Sequence, residues 1–299
     1  MNNLLGEIAA LTTSICWSFT SIFFTIAGRE VGSVIVNRTR LLLASCYLIV
    51  LHSIFYGNPL PVEAEPYRWW WLGISGIIGL IIGDAMLFQA FVIIGPRLSM
   101  LLMSLVPIIS TLFAWIFLHE VLAVAEMFAI LLTVGGIIWV VLERKNGMPV
   151  WQTRNYLPGI LFGIGGAFGQ ALALITAKKG LLGEFSALSA NLIRIIAATV
   201  IFWVYSFARG TVKSNLIFWK NRTARFAILG GSIVGPFLGI WLSLIAIKYT
   251  HIGIASTLMA LPPIFLIPLT YWIFKEQSTW RVIIGTIIAS IGVAIIFLG

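Results

Sequence analysis

Long apolar runs alternate with short polar breaks along almost the whole chain. A helix needs about 20 mostly apolar residues to cross a bilayer. Ten such runs can be drawn, near 5–27, 33–56, 70–94, 97–118, 122–142, 157–177, 185–207, 226–247, 252–274 and 280–298. The breaks hold residues that stop helices or prefer water. Gly57-Asn58-Pro59, with Pro61 and Pro66, ends the second run, and Glu143-Arg144-Lys145-Asn146-Gly147 ends the fifth. A basic stretch from Arg209 to Arg225 separates the seventh from the eighth. The pattern predicts an all-α membrane protein with ten transmembrane helices. Little chain is left outside the runs, which excludes a soluble catalytic domain.

The runs repeat. A shift of 156 residues lays Gly79 on Gly235, Gly83 on Gly239, Ala90 on Ala246 and Met103 on Met259. It also lays Leu105 on Leu261, Pro107 on Pro263, Glu120 on Glu276 and Gly136 on Gly292. Earlier in each half the shift is 154, and Asn37-x-x-Arg40 falls on Asn191-x-x-Arg194. Glycines match by chance in such a sequence; a proline, a glutamate and an Asn-x-x-Arg together do not. The chain therefore divides into a first five-helix repeat, 1–142, a linker, 143–156, and a second five-helix repeat, 157–299. Five is odd, so the second copy enters the membrane upside down relative to the first. Two inverted repeats are the architecture of many secondary transporters, whose site lies where the halves meet.

Composition agrees with the pattern. Sixty per cent of the 299 residues are hydrophobic and ten per cent charged, far from the soluble average. The formal charge of +9 is spread over loops, with no block to grip nucleic acid, and suits lipid headgroups instead. Cys16 and Cys46 fall inside apolar runs and read as small core residues. Met1-Asn2-Asn3 lacks the basic start of a cleavable signal, and the run behind it is long enough to span.

Two matching tails, Pro107…Leu118-His119-Glu120 and Pro263…Phe274-Lys275-Glu276, are each followed by an apolar run containing Gly135-Gly136 or Ile291-Gly292. With Trp17 and the arginine early in the second and seventh runs, they make the chain resemble the drug/metabolite transporter superfamily, in its ten-helix EamA-like branch. The resemblance spans nearly the whole chain. It implies a transporter of small metabolites in the cell membrane and does not name the substrate.

The costly polar groups inside the runs are the candidate substrate-binding residues. Asn37 and Arg40 share a helix face, as do Asn191 and Arg194. An arginine at membrane depth costs several kcal/mol unless paired or hydrated, and marks a functional site by default; its fork of donors suits a carboxylate or phosphate. Bracing of helix ends, pairing within the protein or snorkelling to the interface is the alternative role. Asp84 stands mid-run, and its repeat partner is Ile240. It could carry a proton, and so couple transport to a proton gradient, bind a cationic group, or neutralise Arg40. Trp17 and its repeat partner Gln170 are expected near the same wall. Pro107 and Pro262-Pro263 break helical hydrogen bonds at equivalent depths, which makes Pro107 and Pro263 candidate hinges. Glu7, Ser14, Ser18, Ser21 and Thr25 form a polar stripe on the first run, facing a cavity or another helix. Ser75/Gly79/Gly83 and Gly231/Gly235/Gly239 read as packing surfaces, and Glu120 and Glu276 as helix-end caps.

Motifs for enzymes, cofactors and metals are not found. Gly73-Ile74-Ser75-Gly76 resembles an intramembrane serine protease motif but lacks a matching histidine, and His119-Glu120 has no second histidine at Ala123. No P-loop sequence exists, so uphill transport must draw on an ion gradient or a partner. The expectation is a secondary transporter, working by alternating access on a small polar or amphipathic metabolite, amino acid efflux being one form. The alternative is a membrane-embedded enzyme acting on lipid or peptide. With ten spans, twelve basic residues lie on the side opposite the termini and only Arg68, Lys178, Lys179 and Lys248 on the terminal side. The positive-inside rule then places both termini outside the cytoplasm. The resemblance implies cytoplasmic termini, and the charge count is given the greater weight.

Overall fold

A computed structural model describes residues 2–118, 124–146, 150–183, 185–215, 220–249 and 252–298. All regular structure among them is helical. The first repeat comprises α1 (Asn2–Val31), α2 (Ser33–Tyr56), α3 (Pro66–Gly76), a π-helical segment (Ile77–Gly83) running into α4 (Asp84–Ile94), α5 (Pro96–Met103), α6 (Leu105–Leu118) and α7 (Val124–Asn146). The second comprises α8 (Val150–Gly180), α9 (Ala187–Ala208), α10 (Arg222–Ser232), a π-helical segment (Ile233–Gly239) running into α11 (Ile240–Tyr249), α12 (Ile252–Met259), α13 (Pro262–Phe274) and α14 (Trp280–Leu298).

Among the described residues, seven helices or joined helices are long and apolar enough to cross a membrane. Met127–Glu143, Pro262–Phe274 and Trp280–Ile296 are shorter apolar helices. The outer surface is apolar: Leu131 is 72% exposed, Phe207 68% and Trp272 67%. Meanwhile Ser14, Ser18, Thr25, Asn37 and Ser75 are fully buried. This distribution fits a lipid surround, where each helix satisfies its own backbone and polar side chains turn inward. The protein is a multi-pass membrane protein.

The local interruptions recur at the repeat spacing. The two π segments begin at Ile77 and Ile233, and the turns that split the fourth and ninth runs fall at Ser104 and Ala260. A π turn widens the helix and misaligns carbonyls, which then need other donors. In the first repeat Asn37 Nδ2 donates to Leu80 O at 2.9 Å and Gln170 Nε2 to Gly79 O at 3.2 Å. In the second, Pro236 stands at the place of Leu80 and has no N–H to give. Pro107, Pro262 and Pro263 lie just after the breaks, in the first turns of α6 and α13. There a missing N–H is tolerated, so the turns themselves, at Ser104 and Ala260, are the points of interruption. Gly32 and Gly95 turn the chain between helices at φ 88° and 82°, a region side chains disfavour.

Inter-helix contacts also exchange under the repeat. A Cβ on Gly136 of α7 would lie 2.7 Å from Ala289 N, and one on Gly292 of α14 would lie 2.7 Å from Thr133 N. The repeat carries the first contact onto the second. A Cβ on Gly79 would meet Ala173 of α8, and one on Gly235 would meet Thr20 of α1; the shift that carries Trp17 onto Gln170 carries Thr20 onto Ala173. The glycine triplets therefore serve as packing surfaces. One end of α2 is tied to the second repeat by His52–Ser189 (3.0 Å) and Tyr56–Ser186 (2.7 Å), beside Arg68, which donates to Leu182 O at 2.8 Å. A hydrogen bond from that arginine holds the Glu65 carboxyl below the usual range. The other end is tied by Arg38, which donates to Thr211.

Two sequence expectations need correction. Cys46 is exposed on the outer face of α2, while Cys16 is buried. The N-terminus of α14 is capped by Thr279, whose Oγ1 accepts from Val282 N at 3.3 Å, rather than by Glu276; Glu120 lies outside the described residues. Residues 143–146 and 150–156, between the two repeats, continue α7 and α8 as helix.

Candidate functional site

At the centre lies a cavity of about 530 Å³, lined by α1, α2, the two π segments, α4 to α6, α8, α9 and α11 to α14. Its wall takes equivalent residues from both halves: Trp17 and Gln170, Arg40 and Arg194, Leu80 and Pro236, Asp84 and Ile240, Met103 and Met259, Pro107 and Pro263. Six of the seven residues expected at a binding site line it, and so do both candidate hinge prolines.

Asn37 is the exception, and its bonds explain why. It stands behind Arg40, accepting from Arg40 Nε through Oδ1 at 3.0 Å while its Nδ2 holds Leu80 O. Arg40 donates through Nη2 to Asp84 Oδ2, and Gln170 Nε2 donates to Asp84 Oδ1 at 2.7 Å. Asp84 is buried, with both carboxylate oxygens engaged. Phe88 lies under the Arg40 guanidinium, 4.8 Å from ring centroid to Cζ. This wall is a closed network, ion pair included, stacked against an aromatic floor.

The part of the wall built by Asn191 and Arg194 is not closed. Asn191 Nδ2 and Arg194 Nε are buried without a hydrogen-bond partner. No ion pair among the described residues includes Arg194. Its guanidinium rests beside Gly79, whose Cβ position is 3.6 Å from Nη2. The backbone there is close: a Cβ on Gly76 would lie 2.2 Å from Arg194 O, whereas one on Gly73 would meet only Ala197 Cβ at 3.6 Å. Gly76→Ala should therefore push α9 away and destabilise the protein by about 1–3 kcal/mol. Gly73→Ala should be neutral or slightly stabilising, since alanine is the better helix former by up to about 1 kcal/mol. Thermal unfolding in detergent checks the pair.

A model of the EamA-like transporter family matches residues 4–142 and again 157–298. The chain belongs to the EamA-like transporter family. The double match gives two copies of the family unit, at the positions where the sequence repeats. Among 27 matching solved chains, one described only as a crystal structure of a protein aligns at a TM-score of 0.66 and 16% identity. The alignment covers 97% of this chain and 95% of the other, a likeness of fold. No curated protein matches.

Within this EamA-like chain, the polar stripe of α1 is mostly packing. Ser18, Ser21 and Thr25 bond back to carbonyls of their own helix, and only Ser21 of the stripe reaches the cavity. Ser75 of the protease-like motif donates to Ala173 O at 2.6 Å, which ties α3 to α8. The sequence reading missed Phe88, Met100, Met103 and Met259 on the cavity wall. A signal existed for two of these: the repeat pairs Met103 with Met259, and symmetry brings equivalent mid-span residues to the shared axis.

Proposed function

We propose that this EamA-like protein is a secondary transporter with ten spans in two inverted five-helix repeats, 1–142 and 157–299, moving a small polar or amphipathic metabolite by alternating access. The observation that carries the reading is the central cavity lined by equivalent residues of the two halves. Non-identical halves around one site can exchange conformations and expose it to either side in turn. The turns at Ser104 and Ala260, next to Pro107 and Pro263 in the wall, are the natural points of bending. Arg40, Arg194, Asn191, Asp84, Trp17 and Gln170 border the substrate, and Asn37 positions Arg40. Proteoliposomes holding the purified chain should take up labelled amino acids or monocarboxylates saturably and exchange them for internal unlabelled substrate. Runs with and without a pH gradient test proton coupling. A flux that rises linearly with concentration and shows no exchange would sink alternating access.

A further inference from the structure

Each repeat carries an Asn-x-x-Arg pair whose arginine lines the one cavity, yet the first pair is satisfied and the second is not. Arg40 has Asp84, and Asn37 has Leu80 O. In the second repeat the place of Asp84 is taken by Ile240, which lines the cavity without a charge. Asn191, 8% exposed, and Arg194 Nε keep donors with nothing to receive them. Unmet donors at this depth are expensive, and a charged one more so. The charged residues of the lining are Arg40, Arg194 and Asp84, which leaves one net positive charge in a mainly apolar chamber.

We propose that Asn191 and Arg194 form a carboxylate subsite, and that the substrate is an amphipathic monocarboxylate without an ammonium group. The substrate's carboxylate supplies to the second repeat what Asp84 supplies to the first. This deepens the transport reading and rests on it. A guanidinium with a neighbouring amide donor matches the two oxygens of a carboxylate. One negative charge balances the chamber, whereas a phosphate monoester brings about −1.5 to −2 near neutral pH. An ammonium meets no unengaged anion, because Asp84, the carboxylate of the lining, already has one oxygen bonded to Arg40 and the other to Gln170. The remaining wall, with Phe88, Phe91, Met100, Met103, Met259 and Val293, suits an apolar body. Unbranched methionines let that wall adapt to more than one shape.

The test is ligand-induced thermal stabilisation of the purified full chain in detergent. The probes are 3-phenylpropionate, 3-phenylpropanamide, L-phenylalanine and 2-phenylethyl phosphate. The wild type should bind 3-phenylpropionate saturably and each other probe at least about tenfold more weakly, as expected for a buried charge-assisted contact. R194Q and N191A should lose most of the preference for acid over amide. Should R194Q fail to fold, N191A and the wild-type ratio decide. Equal binding of the amide, the phosphate or phenylalanine, or no saturable shift with the acid, overturns the proposal. Binding in detergent needs no membrane crossing, so acid-selective binding without uptake in proteoliposomes would sink the transport reading and leave the subsite. Saturable uptake that ignores the carboxylate would do the reverse.

Discussion

Arg194→Ala is expected to lower substrate transport about 30-fold or more while the protein stays folded, and Arg40→Ala to unfold much of it. The two arginines are equivalent in the repeat, so the contrast depends wholly on their partners. Arg194 has no ion-pair partner among the described residues, so its removal strands no protein carboxylate by breaking a contact. What it removes is a desolvated donor for a bound anion, a loss typically of about 2–5 kcal/mol. Removing Arg40 leaves buried Asp84 with Gln170 as its side-chain hydrogen-bond partner and no ion pair among the described residues, and breaking a buried pair on one side costs about 3–5 kcal/mol of stability. Unfolding midpoints in detergent, set beside initial uptake rates per folded protein, separate the two effects. Similar stability in both variants, or near-normal transport by Arg194→Ala, would show that the asymmetry of the cavity has no functional weight.

The spans and repeat were legible because they rest on simple physics: apolar length for crossing, and the improbability of matching prolines and charges. Their ends were less so. The sixth run reads as apolar from 157, yet α8 starts at Val150. A helix keeps its internal hydrogen bonds as it leaves the hydrocarbon core, and polar residues there need no apolar environment. The depth of Arg194 could be argued from span length, and its meeting with Asp84 and Arg40 from the repeat axis. The π segments could not be foreseen. In the first repeat the widened turn is met by donors on α2 and α8, Asn37 and Gln170, far off in sequence, while in the second a proline stands at the turn. The exposure of Cys46 escaped for a related reason. Around Cys46 the stretch 41–51 is apolar but for Ser45, and such a stretch gives little periodic signal of which face turns to lipid.

Asp84→Asn separates a counterion from a proton carrier, and the expected result is lost stability with an unchanged pH profile. The substitution keeps size and shape and removes one charge, so Arg40 is left beside a neutral amide. Arg40 Nη2 then loses its ion pair, Gln170 Nε2 faces an amide in place of a carboxylate, and the chamber's balance rises from one positive charge to two. Breaking a buried pair on one side costs about 3–5 kcal/mol, whereas replacing both partners together is often close to neutral. Arg40→Gln combined with Asp84→Asn should thus recover much of the stability that Asp84→Asn loses, and a double-mutant cycle of unfolding midpoints measures that coupling. Transport tells the two roles apart. With Oδ2 held by Arg40 and Oδ1 by Gln170, Asp84 serves the cavity by fixing Arg40, and folded Asp84→Asn protein should follow the wild-type curve of uptake against pH. A flattened curve in folded Asp84→Asn protein would instead make Asp84 the proton carrier, and the closed wall would then have to open in each transport cycle.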